Sequence, residues 1–464
     1  MNKTLSLTAR KNKYEIDMCN GTIMDKLISF SIPLMLSGIL QLLFNAVDII
    51  VVGHFTGSQA LAAVGSTTAL INVFTNLFIG VSLGANVMAA RFYASGKEKE
   101  MSEMVHTAIT FALLSGIVMV FVGFLFSKAA LILMNTPADV IGQSVLYIRI
   151  YFVGMPFFML YNYGAAILRA VGDTRRPLFF LVISGILNAG LNLLLVIVFH
   201  LGVAGVAIAT VISQLISCIL VLRCLCRTEG SYRLQFSRLT LKWVYLRQIF
   251  QIGIPAGIQS TVINFSNALL QSSVNSFGSV AMAGYTAANN IFGFLYTSVN
   301  SITQACMSFT SQNYGAGKWE RVDKVLRCCM VLSVLVSGVL GGGAYIFGEE
   351  LLKIYTSDAA AIQCGMEIFL YTTATYFMCG LMDLFPGALR GMGCSAVPMI
   401  LSVIGTVGTR IVWIYMIFPR HRLLDVLFIS YPASWLITIV LQVICYYFVR
   451  KKMKTARKTA VHRQ

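Results

Sequence analysis

The sequence predicts an all-α polytopic membrane protein of twelve transmembrane helices, built as two six-helix halves repeated in the same orientation. Three observations predict it. Hydrophobic residues make up 57% of the 464 and charged residues only 11%, whereas a soluble globular chain carries about 25% charged residues. Lys and Arg collect in every second connection between apolar runs. Finally, the chain matches itself at an offset of 221 residues, which lays residue 168 over residue 389.

Spanning the hydrocarbon as a helix takes about 20 apolar residues. Twelve runs qualify: 27–53, 60–90, 103–126, 143–168, 177–199, 203–222, 248–275, 281–312, 326–347, 363–389, 398–418 and 424–449. Of the 35 Lys and Arg, 29 lie in the two tails and the even-numbered connections, and four in the odd-numbered ones. Arg149 and Arg410 fall inside spans, and Arg327, the second residue of the ninth run, is counted with the connection before it. Basic loops stay on the cytoplasmic side, so both termini are expected there. The division that follows is a tail (1–26), a first lobe (27–222), a linker (223–247), a second lobe (248–449) and a basic tail (450–464).

This layout excludes several classes. The surplus of bases over the 18 acids sits in loops, not on one face, so no nucleic-acid partner is expected. The start of the chain lacks a short apolar core with a small-residue cleavage site and does not read as a cleaved signal peptide. The 11 cysteines are scattered without metal-ligand spacing. No Ser/His/Asp set is visible, so no enzyme activity, metal or cofactor is expected. "YGAGKWE" (314–320) lacks the earlier glycine and the Ser/Thr of a phosphate loop. With no connection long enough for a nucleotide-binding domain, transport energy has to come from an ion gradient.

The repeat is carried by polar loop residues. "LRAVGDTRRP" (168–177) lies over "LRGMGCSAVP" (389–398), "YASGK" (93–97) over "YGAGK" (314–318), and "GSQALA" (57–62) over "GSVAMA" (278–283). One residue away in register, "IP" at 32–33 matches "IP" at 254–255, and Asn45 matches Asn267. Halves repeated in one orientation are a transporter architecture, with the substrate site between them.

With its "FNAVDIIVVG" (44–53), the doubled "LRAVGDTRRP" loop and twelve spans, the chain resembles the multidrug and toxic compound extrusion (MATE) family over roughly residues 20 to 450. The resemblance implies two lobes around a central cleft and antiport of lipophilic, often cationic, compounds against H+ or Na+. It implies a bacterial cytoplasmic membrane, an amphipathic small-molecule partner and a monomer. Relatives of the same superfamily flip lipid-linked precursors, which is the alternative reading. That reading asks for a strongly cationic cleft, and few bases besides Arg410 lie inside the spans.

Sixteen of the acids fall in connections, tails or span ends, and two lie inside spans: Asp48 and Asp383. An ionised acid at mid-bilayer costs at least about 2.5–3.5 kcal/mol, so both are candidate ion-pathway residues. Gln41, Asn45 and Asp48 share a stripe at i, i+4, i+7, which should face water. Asn188 and Asn192 form an i, i+4 pair on span 5. The resemblance places the first-span acid and this part of span 5 in an ion-coupling cluster. Many members carry a second acid where this chain has Asn192, which favours a proton over sodium here. The plain alternative is a structural acid held neutral by its amide neighbours. Pro33 removes a backbone hydrogen bond from span 1. The resemblance makes it a hinge, and a static kink is the other reading. Asp383 lies about 10 Å inside span 10 and Arg410 about 18 Å inside span 11, at 1.5 Å per residue. An ion pair between them and a substrate contact both stand open, with Asn267 nearby on span 7.

Overall fold

The computed structural model describes residues 14–461. Positions 1–13 of the expected N-terminal tail and 462–464 of the C-terminal tail lie outside the described residues. All regular structure among the described residues is helical. Helices α1 (Met24–Phe55), α2 (Ser58–Ala94) and α3 (Glu98–Leu133) follow the first three apolar runs. The fourth run is split into α4 (Ile141–Val153) and α5 (Met155–Ala170). Helix α6 (Arg175–Leu193) runs on into a π-helical turn, Leu194–Val198, and α7 (Gly202–Arg227) completes the sixth pass.

The second half repeats the order. It comprises α8 (Trp243–Asn275), α9 (Ser279–Gly315), α10 (Trp319–Ile346) and the short α11 (Gly348–Lys353). The pair α12 (Ala359–Thr373) and α13 (Tyr376–Gly391) forms one pass. The next pass is α14 (Ala396–Ser402), a π turn at Val403–Gly408, α15 (Thr409–Val412) and a second π turn at Trp413–Ile417. Helix α16 (Leu424–Val461) is the last. Eight of these passes are continuous helical runs long and apolar enough to cross a membrane, and two are bent pairs. The remaining two, α8 with 33 residues and α9 with 37, are long enough but carry many Asn, Gln and Ser. The count is twelve.

The breaks have local causes, and they repeat. Helices α4 and α5 meet at 45°, α12 and α13 at 49°. Pro156, in the first turn of α5, has no N–H to reach back to Phe152. At the second break Thr372, Thr373 and Thr375 donate to the carbonyls four residues earlier, a pattern that bends helices. Gly154 and Thr375, the residues at the two corners, stand 221 positions apart. Helices α2 and α9 have the same length, 37 residues. Gly172 and Gly393 turn at φ of +101° and +89°, a conformation that costs an L side chain. The repeated glycines of the sequence are therefore repeated turns.

By contacts the chain forms two units. One holds the residues up to Thr75, Ala85–Ile249 and Gly315–Lys318; the other holds Asn76–Gly84, Phe250–Tyr314 and the chain from Trp319 onward. The 223–247 segment packs on the first unit: Tyr232 donates to Glu15 at 2.6 Å, Gln235 N to His106 Nε2 at 3.1 Å, and Lys242 pairs with Glu103 at 2.7 Å. The segment ahead of α1 is tied down as well, with Tyr93 donating to Glu15 at 2.8 Å and Ile16 N to the Gly172 carbonyl at 3.2 Å. Helix α16 continues into the expected tail at 450–464 as far as Val461. Its Lys, Arg and Ala are good helix formers, and Arg450 anchors it to Asp323 at 2.6 Å.

Within the first unit, α6 lies against α1 through small residues. A Cβ at Gly185 would fall 1.8 Å from the Phe44 ring, so this contact exists only because position 185 is glycine. Gly185→Ala should lower thermal stability by about 1–3 kcal/mol, the usual cost of overpacking. Adding Phe44→Ala should recover part of it in detergent melting curves.

Candidate functional site

In the first unit Phe44 and Asp48 lie on the face of α1 turned to α6. Asp48 is half-buried. Asn192, completely buried, donates from Nδ2 to Asp48 Oδ1. The same Nδ2 reaches Asn188 Oδ1 at 3.3 Å, and Asn188 is buried too. Asn192 Oδ1 is buried without a hydrogen-bond partner. The structure thus joins Asp48, Asn192 and Asn188 in one chain of contacts, immediately before the Leu194–Val198 π turn. Single π turns occur often at functional sites.

Gln41 and Asn45 share the stripe with Asp48 but are exposed, and no described hydrogen bond links them to it. Helix α1 runs unbroken through the buried Pro33, whose carbonyl accepts from Ser37 Oγ at 2.7 Å. Sequence reasoning missed Tyr147 and Tyr151 on α4. They stack with centroids 6.3 Å apart, and both feel the charge of Asp48. Their i, i+4 spacing in "LYIRIYFV" was the available signal. A tyrosine in an apolar run reads as packing unless a partner on another helix is known.

The second unit corrects the expectation of an Asp383–Arg410 pair. Arg410, 3% exposed, donates from Nη1 to Asn267 Oδ1 at 2.7 Å and from Nε to Ser434 Oγ at 3.3 Å. Its guanidinium lies 4.6 Å from the centre of the Tyr431 ring. Asp383 faces Arg390 and Tyr296 instead, and Arg390 donates to Gln259. No described ion pair includes Asp383 or Arg410. The physical reason is the choice of helix faces. Asp383 follows the face of α13 that holds Arg390 two turns on, whereas Arg410 reaches α8 and α16.

Twelve passes in two halves of repeated order, each holding a charged residue where its first and fifth passes meet, define a membrane transporter built by duplication. The profile of the MatE family matches residues 33–194 and again 255–416, and the chain belongs to that family. It is 28% identical over 439 residues to the "Probable multidrug resistance protein YoeA" of Bacillus subtilis (strain 168), covering 92% of this chain and 94% of that one. It is 21% identical over 379 residues to the "Multidrug export protein MepA" of Staphylococcus aureus (strain NCTC 8325 / PS 47), covering 82% of this chain and 84% of that one. Among solved structures, one described as the outward-facing conformation of a multidrug resistance MATE family transporter superposes with a TM-score of 0.90. It is 18% identical and covers 96% of this chain and 100% of that chain. At that identity the likeness is one of fold.

Because Asp383 and Arg410 have separate partners, their substitutions should act independently. In a double-mutant cycle of Asp383→Asn and Arg410→Gln, the stability losses are expected to add within about 0.3–0.5 kcal/mol. Exchanging the two charges should restore no stability. A coupling above about 1 kcal/mol would reinstate the pair.

Proposed function

We propose that the protein exports lipophilic or cationic amphipathic compounds by antiport against a proton gradient. It would do so across a bacterial cytoplasmic membrane, as a monomer with both termini in the cytoplasm. The names of the relatives support the substrate class, and the distribution of Lys and Arg supports the orientation. The observation that carries the coupling reading is the Asp48–Asn192–Asn188 contact.

Its chemistry follows from the donor inventory. An ionised Asp48 only accepts hydrogen bonds, and Asn192 Nδ2 meets it. A protonated Asp48 carries an O–H donor, and the idle Oδ1 of Asn192 is the nearby acceptor in want of one. Reversing the amide of Asn192 satisfies the second state. That reversal takes Nδ2 away from Asn188, so one proton on α1 rearranges two side chains on α6. Burial disfavours the ionised carboxylate and the donated hydrogen bond favours it, and a group balanced between the two is suited to carry a proton. Sodium asks for several oxygen ligands, and a single carboxylate among amides offers few.

Everted vesicles test this with dye efflux under imposed gradients. Asp48→Asn keeps the shape but removes the titrating proton, so gradient-driven efflux should fall at least about tenfold while membrane insertion is retained. Wild-type rates in the variant would sink the assignment. Transport should follow a pH gradient and be indifferent to replacing Na+ by K+ at constant pH; strict Na+ dependence would contradict the proton reading.

A second acid at the centre of the contact is also informative. Asn192→Asp places a carboxylate beside Asp48, and two like charges titrate as a coupled pair. The pH profile of efflux should move to higher pH, because the pair holds its first proton more tightly. An unchanged profile would mean that position 192 is not part of the coupling group.

A further inference from the structure

The surroundings of Arg410 are neutral on every side. Its hydrogen-bond partners are an amide and a hydroxyl, and its guanidinium rests on a phenol ring. The titratable groups close enough to act on it are Tyr431, Tyr285 and Cys379, with no Asp or Glu among them. A buried cation is costly unless an anion meets it, and here the chain supplies none among the described residues.

The guanidinium is also not sealed. Nε and Nη1 are occupied, while Nη2 makes no hydrogen bond to a protein acceptor and is absent from the fully enclosed polar atoms. Asn267, which receives Nη1, is exposed, and polar groups at membrane depth face water or protein, not lipid. Nη2 is therefore the edge of Arg410 left for a further acceptor. The hydroxyls of Tyr285 and Tyr431, hydrogen-bonded to each other at 2.7 Å, leave one O–H of the pair to donate elsewhere.

The repeat supplies an independent observation. In the register that lays Pro33 over Pro255 and Asn45 over Asn267, Asn188 lies over Arg410. Where the first half has the neutral amide of Asn188, the second half has the base Arg410, held by the Asn267 amide that matches Asn45. π turns flank Arg410 on both sides, as one follows Asn192.

We propose that Arg410, Asn267, Ser434 and the Tyr285–Tyr431 hydroxyl pair form an anion-binding subsite within the second half, one that takes the carboxylate or phosphate of an amphipathic molecule. The inference rests on the reading of the chain as an exporter of amphipaths, and it narrows that reading. The cargo includes molecules with an acidic group, whether purely anionic or zwitterionic, alongside the cations that the family resemblance brings to mind.

Binding of a matched probe pair to the full-length protein in phosphatidylcholine nanodiscs tests it. 9-Anthracenecarboxylate should bind at least about tenfold more tightly than 9-anthracenemethanol, which has the same ring system without the charge. Arg410→Gln should erase the preference, and Arg410→Lys should keep part of it. In case Arg410→Gln does not fold, Asn267→Asp provides the second variant. It places a protein carboxylate on Nη1, and should erase the preference while holding or raising the melting temperature. Competition by inorganic phosphate would identify a free anion as the occupant. Loss of carboxylate binding only when phosphatidylglycerol is added to the discs would identify a lipid headgroup at the same site. Equal affinity for the two probes in the wild type, or a preference that survives Asn267→Asp, overturns the proposal. The measurement needs no ion gradient, so its failure leaves the coupling role of Asp48 standing, and failed coupling leaves it standing in turn.

Discussion

Hydrocarbon solvates neither a charge nor an unpaired amide, and this protein places both at membrane depth. Each buried polar group must then be met by another group of the chain or by water. Asp48 is met by Asn192, and Arg410 by Asn267, Ser434 and the face of Tyr431. Those contacts dictate which face of α1 turns to α6 and which face of α8 meets the α14–α15 pass. The glycine opposite Phe44 lets α1 and α6 approach one turn before Asp48 meets Asn192. Packing in this region serves the polar contact.

Duplication multiplies this solution without copying its chemistry. The second half keeps the proline, the glycine turns and the bent pass of the first, and it keeps a polar contact between its first and fifth passes. What it does not keep is the place of the charge, which lies on the first pass at Asp48 and on the fifth at Arg410. Backbone devices such as a φ near +90° at Gly172 and Gly393 tolerate almost no other residue, so they persist in sequence. A side-chain contact has many solutions, and Asn188 and Arg410 are two of them.

That distinction also explains what was legible in the sequence. Twelve passes, the repeat and the positions of the two intramembrane acids were readable because each depends on composition or on backbone-imposed glycine and proline. The partnership of Asp48 with Asn188 and Asn192 was legible through the family resemblance together with helical spacing. Of the Gln41, Asn45 and Asp48 stripe, only Asp48 has a hydrogen-bond partner on α6, while Gln41 and Asn45 lie exposed. The Asp383–Arg410 pairing failed for a geometric reason. Depth along a span can be counted from the sequence, but rotation about the helix axis decides contact, and only the packed neighbours fix it. The broken passes were invisible as well, because Pro156 and the threonines of α12 sit in runs whose hydropathy never drops.

Helices α2 and α9 carry a consequence for the lipid. Thirty-seven residues at 1.5 Å each make a rod of about 55 Å, while the hydrocarbon layer is about 30 Å thick. Even with ordinary tilt, each rod projects well past the acyl chains, so that its ends stand among the headgroups and in water as helix, not as loop. A bilayer several ångströms thicker or thinner would slide along a rod whose backbone is already hydrogen-bonded throughout, at a cost of fractions of a kcal/mol per ångström. The protein is thereby fitted to work in membranes whose thickness changes with growth temperature or acyl composition, without unwinding its ends to do so.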